Sequence, residues 1–98
     1  MAIPAGPAFL KLRLYVAGRA PNSLAAITNL RSLLPKTGVL VELEIVDVLD
    51  DPSRALVDRI VVSPTLVRVA PLPMARVVGN LSDLAAVRRS LGIPEPPP

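Results

Sequence analysis

The first half of this 98-residue chain follows the patterns of a strand, a helix and a second strand. Leucine or valine occupies every second position within 9–17, which is the period of a strand. Apolar residues then recur at helical spacing over 24–34, with Asn22 or Ser23 as the expected N-cap. A second alternating segment covers 39–49. Because a helical crossover makes two strands parallel and their connection right-handed, this pattern restricts the fold more than any other feature.

The second half of the sequence predicts a helix, two strands and a last helix. An Asp-Asp-Pro sequence at its start favours a helix over 50–59. Strands are predicted over 66–70 and 74–78, and the short connection between them makes them antiparallel. Helical spacing predicts the last helix over 81–91, with Ser82 as its cap. The resulting β-α-β-α-β-β-α order is that of a thioredoxin-like α/β domain.

The length of the chain is sufficient for one hydrophobic core. We expect a loose lead-in over 1–8, a folded domain over 9–92 and a proline-rich tail over 93–98, because proline opposes both helices and central strands. No segment is apolar for long enough to span a membrane, and the first residues do not resemble a signal peptide. These features predict a cytoplasmic protein with no membrane partner.

The composition excludes several classes of chemistry. The chain has no cysteine and no histidine, which rules out thiol redox centres, zinc sites built from those residues and histidine-dependent triads. A thioredoxin-like domain would carry its cysteines after the first strand, where this chain has Pro21-Asn22-Ser23-Leu24. Tyr15 is expected to pack with its hydroxyl at the rim rather than act as an acid. We therefore expect no cofactor, no metal site and no enzymatic activity.

Three acidic residues offer a weak alternative to this expectation. Asp47, Asp50 and Asp51 follow the second strand closely, and such a group suggests Mg²⁺ binding. Helix capping explains Asp50 and Asp51 better. Asp47 interrupts a hydrophobic strand and needs a partner there, for which Arg13 or Arg68 is the candidate.

The charge distribution indicates contact with proteins rather than nucleic acids. The net charge is +3, but the basic residues are scattered and the chain has only one tyrosine and one phenylalanine for stacking. We therefore expect a binding module without a nucleic-acid partner, which makes contact through edge strands and exposed arginines. These arginines are Arg19, Arg68, Arg76, Arg88 and Arg89.

Two interpretations of Pro64, which precedes the third strand, stay open. It is either an ordinary turn proline or the cis proline that thioredoxin-like domains hold at this position. A cis bond before proline costs only about 0.5–1 kcal/mol and interconverts slowly, so the second interpretation makes Pro64 a slow isomer switch.

Four motifs, in order along the chain, resemble the KaiB family of small circadian-clock proteins. They read LYVAGRAPNS over 14–23, IVDVLDDP over 45–52, SPTLVR over 63–68 and PLPMARVVGNLS over 71–82. The resemblance extends over about residues 9–91. It implies a thioredoxin-like, non-enzymatic regulator that binds a KaiC-type ATPase ring, in circadian timing or in stress and signalling control derived from it.

The resemblance also implies further partners and a switch. Family members act on a KaiA-like activator, form homo-oligomers (dimers or tetramers), and rearrange their C-terminal half between a ground state and the thioredoxin-like binding form. The residues that we expect to control this rearrangement are Pro64, Pro71, Pro73, Gly79 and Asn80. The residues that we expect to contact the partner, together with the last helix, are Arg68, Arg76, Arg88 and Arg89.

Two alternatives to this function remain. The chain also resembles the KaiB-like input domain of clock-associated histidine kinases, which implies a thiol-free sensor module with a histidine kinase as partner. An enzyme of unknown type is the third and least favoured hypothesis.

Overall fold

The computed structural model describes residues 6–94, which form a four-stranded sheet with helices on both faces. The elements are β1 (Phe9–Val16), α1 (Pro21–Leu33), β2 (Leu40–Asp47), α2 (Pro52–Val57), β3 (Thr65–Ala70), β4 (Ala75–Val78) and α3 (Leu84–Leu91). The strand order is β2-β1-β3-β4; β1 is parallel to β2 and antiparallel to β3, and β3 is antiparallel to β4. The predicted element order and α/β class are confirmed.

The main core lies between the sheet and helices α1 and α3. Leu10, Leu12 and Leu14 of the central strand β1 are at most 1% exposed, and they belong to one cluster with Leu30 of α1 and Val87 of α3. Burial of each leucine contributes about 1.5–3 kcal/mol. The predicted alternation of β1 is confirmed, because the residues between these leucines face the opposite side of the sheet.

A smaller core lies on that opposite face, under α2. Tyr15, Val46 and Val67 are buried there with Ala55 of α2. Tyr15 packs as predicted, but its side chain is completely covered, so the prediction of a hydroxyl at the rim is wrong. Because α2 has only six residues, it covers the C-terminal end of β1 and leaves Lys11 exposed.

Helix α1 begins earlier than predicted. Its first residue is Pro21, which suits the first helical position because it has no N–H to leave unpaired. Ala20 occupies the N-cap and supplies no side-chain hydrogen bond, so the prediction of Asn22 or Ser23 as N-cap is wrong. Ser23 is instead buried, and its Oγ accepts a hydrogen bond of 3.0 Å from the backbone N–H of Ala17.

Helix α3 is capped by Asp83 rather than by the predicted Ser82. Asp83 Oδ1 accepts a hydrogen bond of 3.1 Å from the backbone N–H of Ala86, which satisfies one free donor of the first turn. At the other end, Gly92 has φ 73° and ends the helix in the left-handed conformation that glycine adopts without a steric cost.

The predicted lead-in and tail lie largely outside the described residues, at 1–5 and 95–98. Within the described part, Ile93 is buried and joins the main core. None of the helices between residues 6 and 94 has the length and apolar character needed to cross a membrane.

Candidate functional site

The turn between β1 and α1, where thioredoxin-like domains carry their cysteines, is closed by hydrogen bonds in this protein. Asp47 Oδ1 accepts from the backbone N–H of Gly18 at 3.0 Å and of Leu49 at 2.9 Å. Neither candidate arginine pairs with Asp47, because Arg13 donates to Glu44 and Asp58 and Arg68 donates to the carbonyl of Pro73. The role of Asp47 is to join the ends of β1 and β2.

Of the two following aspartates, Asp51 occupies the N-cap position of α2 and accepts a hydrogen bond of 2.8 Å from the hydroxyl of Ser53, but its side chain makes no capping bond to the helix backbone. Asp50 is exposed and lies before the N-cap, so the prediction that it caps the helix is wrong. Within residues 6–94, no group of three or more acidic side chains is arranged to hold a metal ion. The suggested Mg²⁺ site has no support in this geometry.

Several exposed apolar residues lie on α2 and in the segments next to it along the chain. Leu56 and Val57 on the helix are 77% and 81% exposed, and Val61 in the following loop is 95% exposed. Such side chains gain about 25 cal/mol for each Å² that a partner covers. We call these residues, together with Leu49 and Val62, the α2 surface; Leu49 and Val62 are also exposed large hydrophobic residues.

A cluster of charged side chains lies between α2 and the sheet, and we call it the Asp58 cluster. The Asp58 carboxylate accepts hydrogen bonds from the Tyr15 hydroxyl and, at 2.8 Å, from Arg13 Nη1. Arg13 Nε also donates to Glu44 at 2.9 Å, and Arg54 donates to both oxygens of Glu44 at 2.6 and 2.7 Å. Two carboxylates and two guanidinium groups thus neutralise one another around a buried tyrosine.

This arrangement shifts the pKa values of its members. The hydrogen bonds from Arg54 and then Arg13 lower the pKa of Glu44 to about 2. The hydrogen bond from Tyr15, assisted by Arg13, holds the pKa of Asp58 below its ordinary value. Burial, assisted by Asp58, raises the pKa of Tyr15. Both carboxylates are therefore ionised and Tyr15 is protonated at neutral pH, which suits a structural cluster rather than an acid–base catalyst.

Arg76 of β4 joins this cluster from the other side. Its Nη2 donates to the main-chain carbonyl of Asp58, and its Nη1 donates to that of Arg59 at 3.2 Å. These carbonyls follow the last turn of α2, where a cation interacts favourably with unpaired acceptors. Arg76 therefore fastens the end of α2 to β4.

The other predicted contact arginines have different positions. Arg68 is half-buried and donates to the carbonyl of Pro73 at 2.7 Å, and its Nε has no partner among residues 6–94. Arg88 is 8% exposed and donates to the carbonyl of Pro94 at 2.7 Å, so the expectation that it is exposed is wrong. Arg89 and Arg19 are exposed as expected.

The residues predicted to control rearrangement lie in three connections, which are the loop before β3, the loop between β3 and β4, and the turn after β4. Ser63-Pro64, Ala70-Pro71 and Leu72-Pro73 are cis peptide bonds, and Pro64 is buried. Gly79, with φ 111°, and Asn80 form the turn after β4. The carbonyl of Asn80 accepts a hydrogen bond of 2.8 Å from the side chain of Asn29, which ties this turn to α1.

The sequence-based reasoning missed Asp58, Glu44, Arg54 and the α2 surface. One signal for the α2 surface was available in the sequence. The pair Leu56-Val57 ends a short helix and the pair Val61-Val62 follows it. A short helix has one buried face, and that face is too small to cover four large apolar side chains. The partners of Asp58 gave no such signal in the sequence. Arg13 and Tyr15 lie more than 40 positions away from it along the chain.

Comparisons with known proteins agree in family and fold. Residues 13–93 match the KaiB domain family. The chain is 46% identical over 74 residues to "Circadian clock oscillator protein KaiB" of a Prochlorococcus marinus strain, a match that covers 74% of this chain and 62% of that relative. The protein of the same name from Synechococcus elongatus is also 46% identical over 74 residues, covering 74% of this chain and 72% of the relative.

Two solved structures share the fold. The N-terminal domain of Synechococcus elongatus SasA is 28% identical, with a TM-score of 0.68 over 91% of this chain and 84% of that chain. A malarial protein that is 20% identical has a TM-score of 0.67 over 85% of this chain and 98% of that chain, and it supports the fold alone.

Proposed function

Because the chain belongs to the KaiB family of circadian clock proteins, we propose that it is a non-enzymatic regulator that binds a KaiC-type ATPase ring. The regulated process is circadian timing, or stress and signalling control derived from it. A cytoplasmic location is part of the proposal, and a KaiA-like activator is a further proposed partner.

The α2 surface is the observation that carries this proposal. It combines the highly exposed Leu56, Val57 and Val61 on one short helix and the loop after it. Single exposed apolar residues are common, whereas a group of them indicates an interaction site. The surface is bordered along the chain by the exposed Arg59 and the exposed Asp50, so we propose a partner surface that is apolar with charged groups of both signs at its rim.

The predicted contact arginines enter the proposal in two ways. Arg89 is exposed on α3 and is proposed to contact the partner directly. Arg68, Arg76 and Arg88 donate hydrogen bonds to main-chain carbonyls within the domain, so we propose that they act in partner binding by holding the segments that contact it.

The proposal includes fold switching of the C-terminal half and a homo-oligomeric ground state. The support for both is family membership. The residues proposed to control the switch are Pro64, Pro71, Pro73, Gly79 and Asn80. Loops and turns at element ends are the positions that absorb large backbone changes in such transitions.

Co-elution with the KaiC-type ATPase encoded in the same genome tests the partner. The two purified proteins are mixed with and without ATP, and complex formation is followed over hours. Slow, nucleotide-dependent binding is the expected result, because a binding form that is rarely populated limits the rate. Fast binding would support the ATPase as the partner and contradict fold switching as the rate-limiting step. An absence of binding at high protein concentration would contradict the proposed function.

A substitution in the α2 surface tests the site. Val57→Asp places a charge where the partner must exclude water, so we expect its affinity for the ATPase to fall by about tenfold or more. Leu24→Asp is the control, since Leu24 is also an exposed apolar residue on a helix, 46% exposed against 81% for Val57, but lies on α1. Equal affinities for the two variants, measured by titration, would show that the α2 surface is not the contact.

The similarity to the SasA N-terminal domain favours one second candidate. That neighbour is a domain of a larger protein, so this fold also serves as a module joined to other domains. On this alternative, the protein is a thiol-free interaction module with a histidine kinase as partner. Co-purification with a kinase in place of the ATPase would distinguish the two functions.

A further inference from the structure

The turn Asp58–Arg59, which follows α2, contacts two strands at once. From β1, Arg13 Nη1 donates to the Asp58 carboxylate at 2.8 Å and the Tyr15 hydroxyl donates to the same oxygen. From β4, Arg76 donates to the main-chain carbonyls of both turn residues. Arg59 has φ 56°, a left-handed conformation that lets the chain reverse direction after α2.

The sheet register explains why these two strands reach the same turn. Arg13 is opposite Val67 in the β1–β3 pair, and Val67 is opposite Arg76 in the β3–β4 pair. Residues opposite one another in a sheet point to the same face, so the two arginines flank Val67 beneath the end of α2. The contacts of Arg76 therefore exist only while β4 lies beside β3, whereas those of Arg13 and Tyr15 need β1 alone.

We propose that Arg76 and the Asp58–Arg59 turn form a tether that holds the α2 surface in its partner-binding position only while β4 occupies the edge of the sheet. This inference rests on the proposed function, because it concerns the surface assigned there to the ATPase. It makes Arg76 a positioning residue, which acts through the end of α2. Partner binding thereby depends on the arrangement of a strand that lies outside the docking surface.

The geometry also explains why an arginine is needed at this position. Its two terminal nitrogens reach two consecutive carbonyls, a task for which the planar guanidinium group is suited and a lysine ammonium group is not. Arg76→Lys is therefore expected to retain the charge and lose most of the tether, which separates the tether from a general effect of net charge.

Amide hydrogen exchange of the free, full-length protein, read from the NMR signals of the form in which β4 pairs with β3, tests the tether without any partner. We expect Arg76→Gln and Arg76→Lys to speed exchange of the amides over 54–60 by about tenfold, since each loses charge-assisted hydrogen bonds. Tyr15→Phe, which removes only the hydroxyl, is expected to act in the same direction. Arg31→Gln is the control, because Arg31 is an exposed arginine on α1. Amides of α1 serve as an internal reference and are expected to keep their exchange rates.

Titration of the same variants with the KaiC-type ATPase tests the consequence for binding. We expect affinity to fall by about threefold or more for Arg76→Gln and Arg76→Lys and to be unchanged for Arg31→Gln. Unchanged exchange over 54–60 in the Arg76 variants would overturn the tether whatever the binding result. Faster exchange with wild-type affinity would overturn its role in positioning. Faster exchange in the variants, with no binding even by the wild-type protein, would support the tether and contradict the proposed function instead.

Discussion

Asp47 shows how a single carboxylate organises the end of the sheet. Its Oδ1 accepts from the backbone N–H groups of Gly18 and Leu49, which lie on two different connections. Gly18 has φ 54°, and a Cβ at this position would lie 3.1 Å from Leu49 Cδ1, so both conformation and space favour glycine. The turn at the position where thioredoxin-like domains carry their cysteines is therefore held by hydrogen bonds from main-chain N–H groups to a side-chain carboxylate.

Replacement of Asp47 tests this role. Asp47→Ala leaves two main-chain donors without their acceptor, and we expect the free energy of unfolding to fall by about 1–3 kcal/mol. Asp50→Ala, at an exposed position three residues away, is the control and is expected to change stability by less than about 0.5 kcal/mol. Urea denaturation at neutral pH measures both values. Equal stability of the two variants would show that solvent replaces the Asp47 carboxylate without cost.

At the scale of elements, α2 and α3 are held by different forces. Helix α3 buries Val87 and Leu91 in the main core and has its own cap at Asp83. Helix α2 buries only Ala55 and depends on the Asp58 cluster. Elements with few buried apolar contacts open locally at low free-energy cost, so α2 is the helix whose position polar contacts can change.

The turn between β4 and α3 offers a test of the switch. Gly79 has φ 111°, and no atom lies within 4 Å of the position a Cβ would take. Gly79→Ala therefore acts through the backbone alone and is expected to destabilise this arrangement by about 1–3 kcal/mol. We expect two-dimensional NMR spectra and the rate of ATPase binding to change together. Unchanged spectra and unchanged binding would contradict a role for Gly79 in switching. Gly38→Ala is the control for stability alone, because Gly38 also has a positive φ and open space at the position of a Cβ.

At the scale of the whole molecule, ionised carboxylates support the fold over a wide pH range. Glu44 and Asp58 both have pKa values below their ordinary ones, because Arg54, Tyr15 and Arg13 donate hydrogen bonds to them. A carboxylate with a lowered folded-state pKa stabilises the fold above its ordinary pKa, and that contribution is lost as the pH falls through the folded-state value. The chain also has no histidine to titrate between these values and neutrality.

We therefore expect the free energy of unfolding to be nearly constant from about pH 5 to 8. It is expected to decrease between pH 4.5 and about 2, the ordinary and folded-state pKa values of Glu44. Urea denaturation across this range measures the profile, with Glu44→Gln as the variant whose acid dependence is weaker. A profile for Glu44→Gln that parallels the wild type would contradict the assignment.

At high pH the dependence has the opposite sign and comes from Tyr15, whose pKa is raised by burial. The contribution of Tyr15 to the free energy of unfolding is complete below pH 10.0 and is lost as the pH rises through the folded-state pKa.

The hydrophobic pattern by itself determined the α/β class, the order of the elements and which face of β1 is buried, because side-chain period and turn residues are local properties of the chain. The family motifs likewise depend only on residues adjacent in sequence. Helix starts were less predictable: Ala20 and Asp83 were not expected as N-caps, since several neighbouring residues are suitable and packing selects among them.

Only the tertiary structure decided the candidate site. Asp58 meets Arg13 and Tyr15 across more than 40 residues, and Arg76 reaches the same turn from a third element. No local pattern predicts such a meeting, because it depends on the register of three strands and the height of α2 above them. Exposure is decided in the same way: Arg88 is buried and Val57 is exposed, opposite to the preference of each residue type, because each position faces the core or solvent according to how its helix packs.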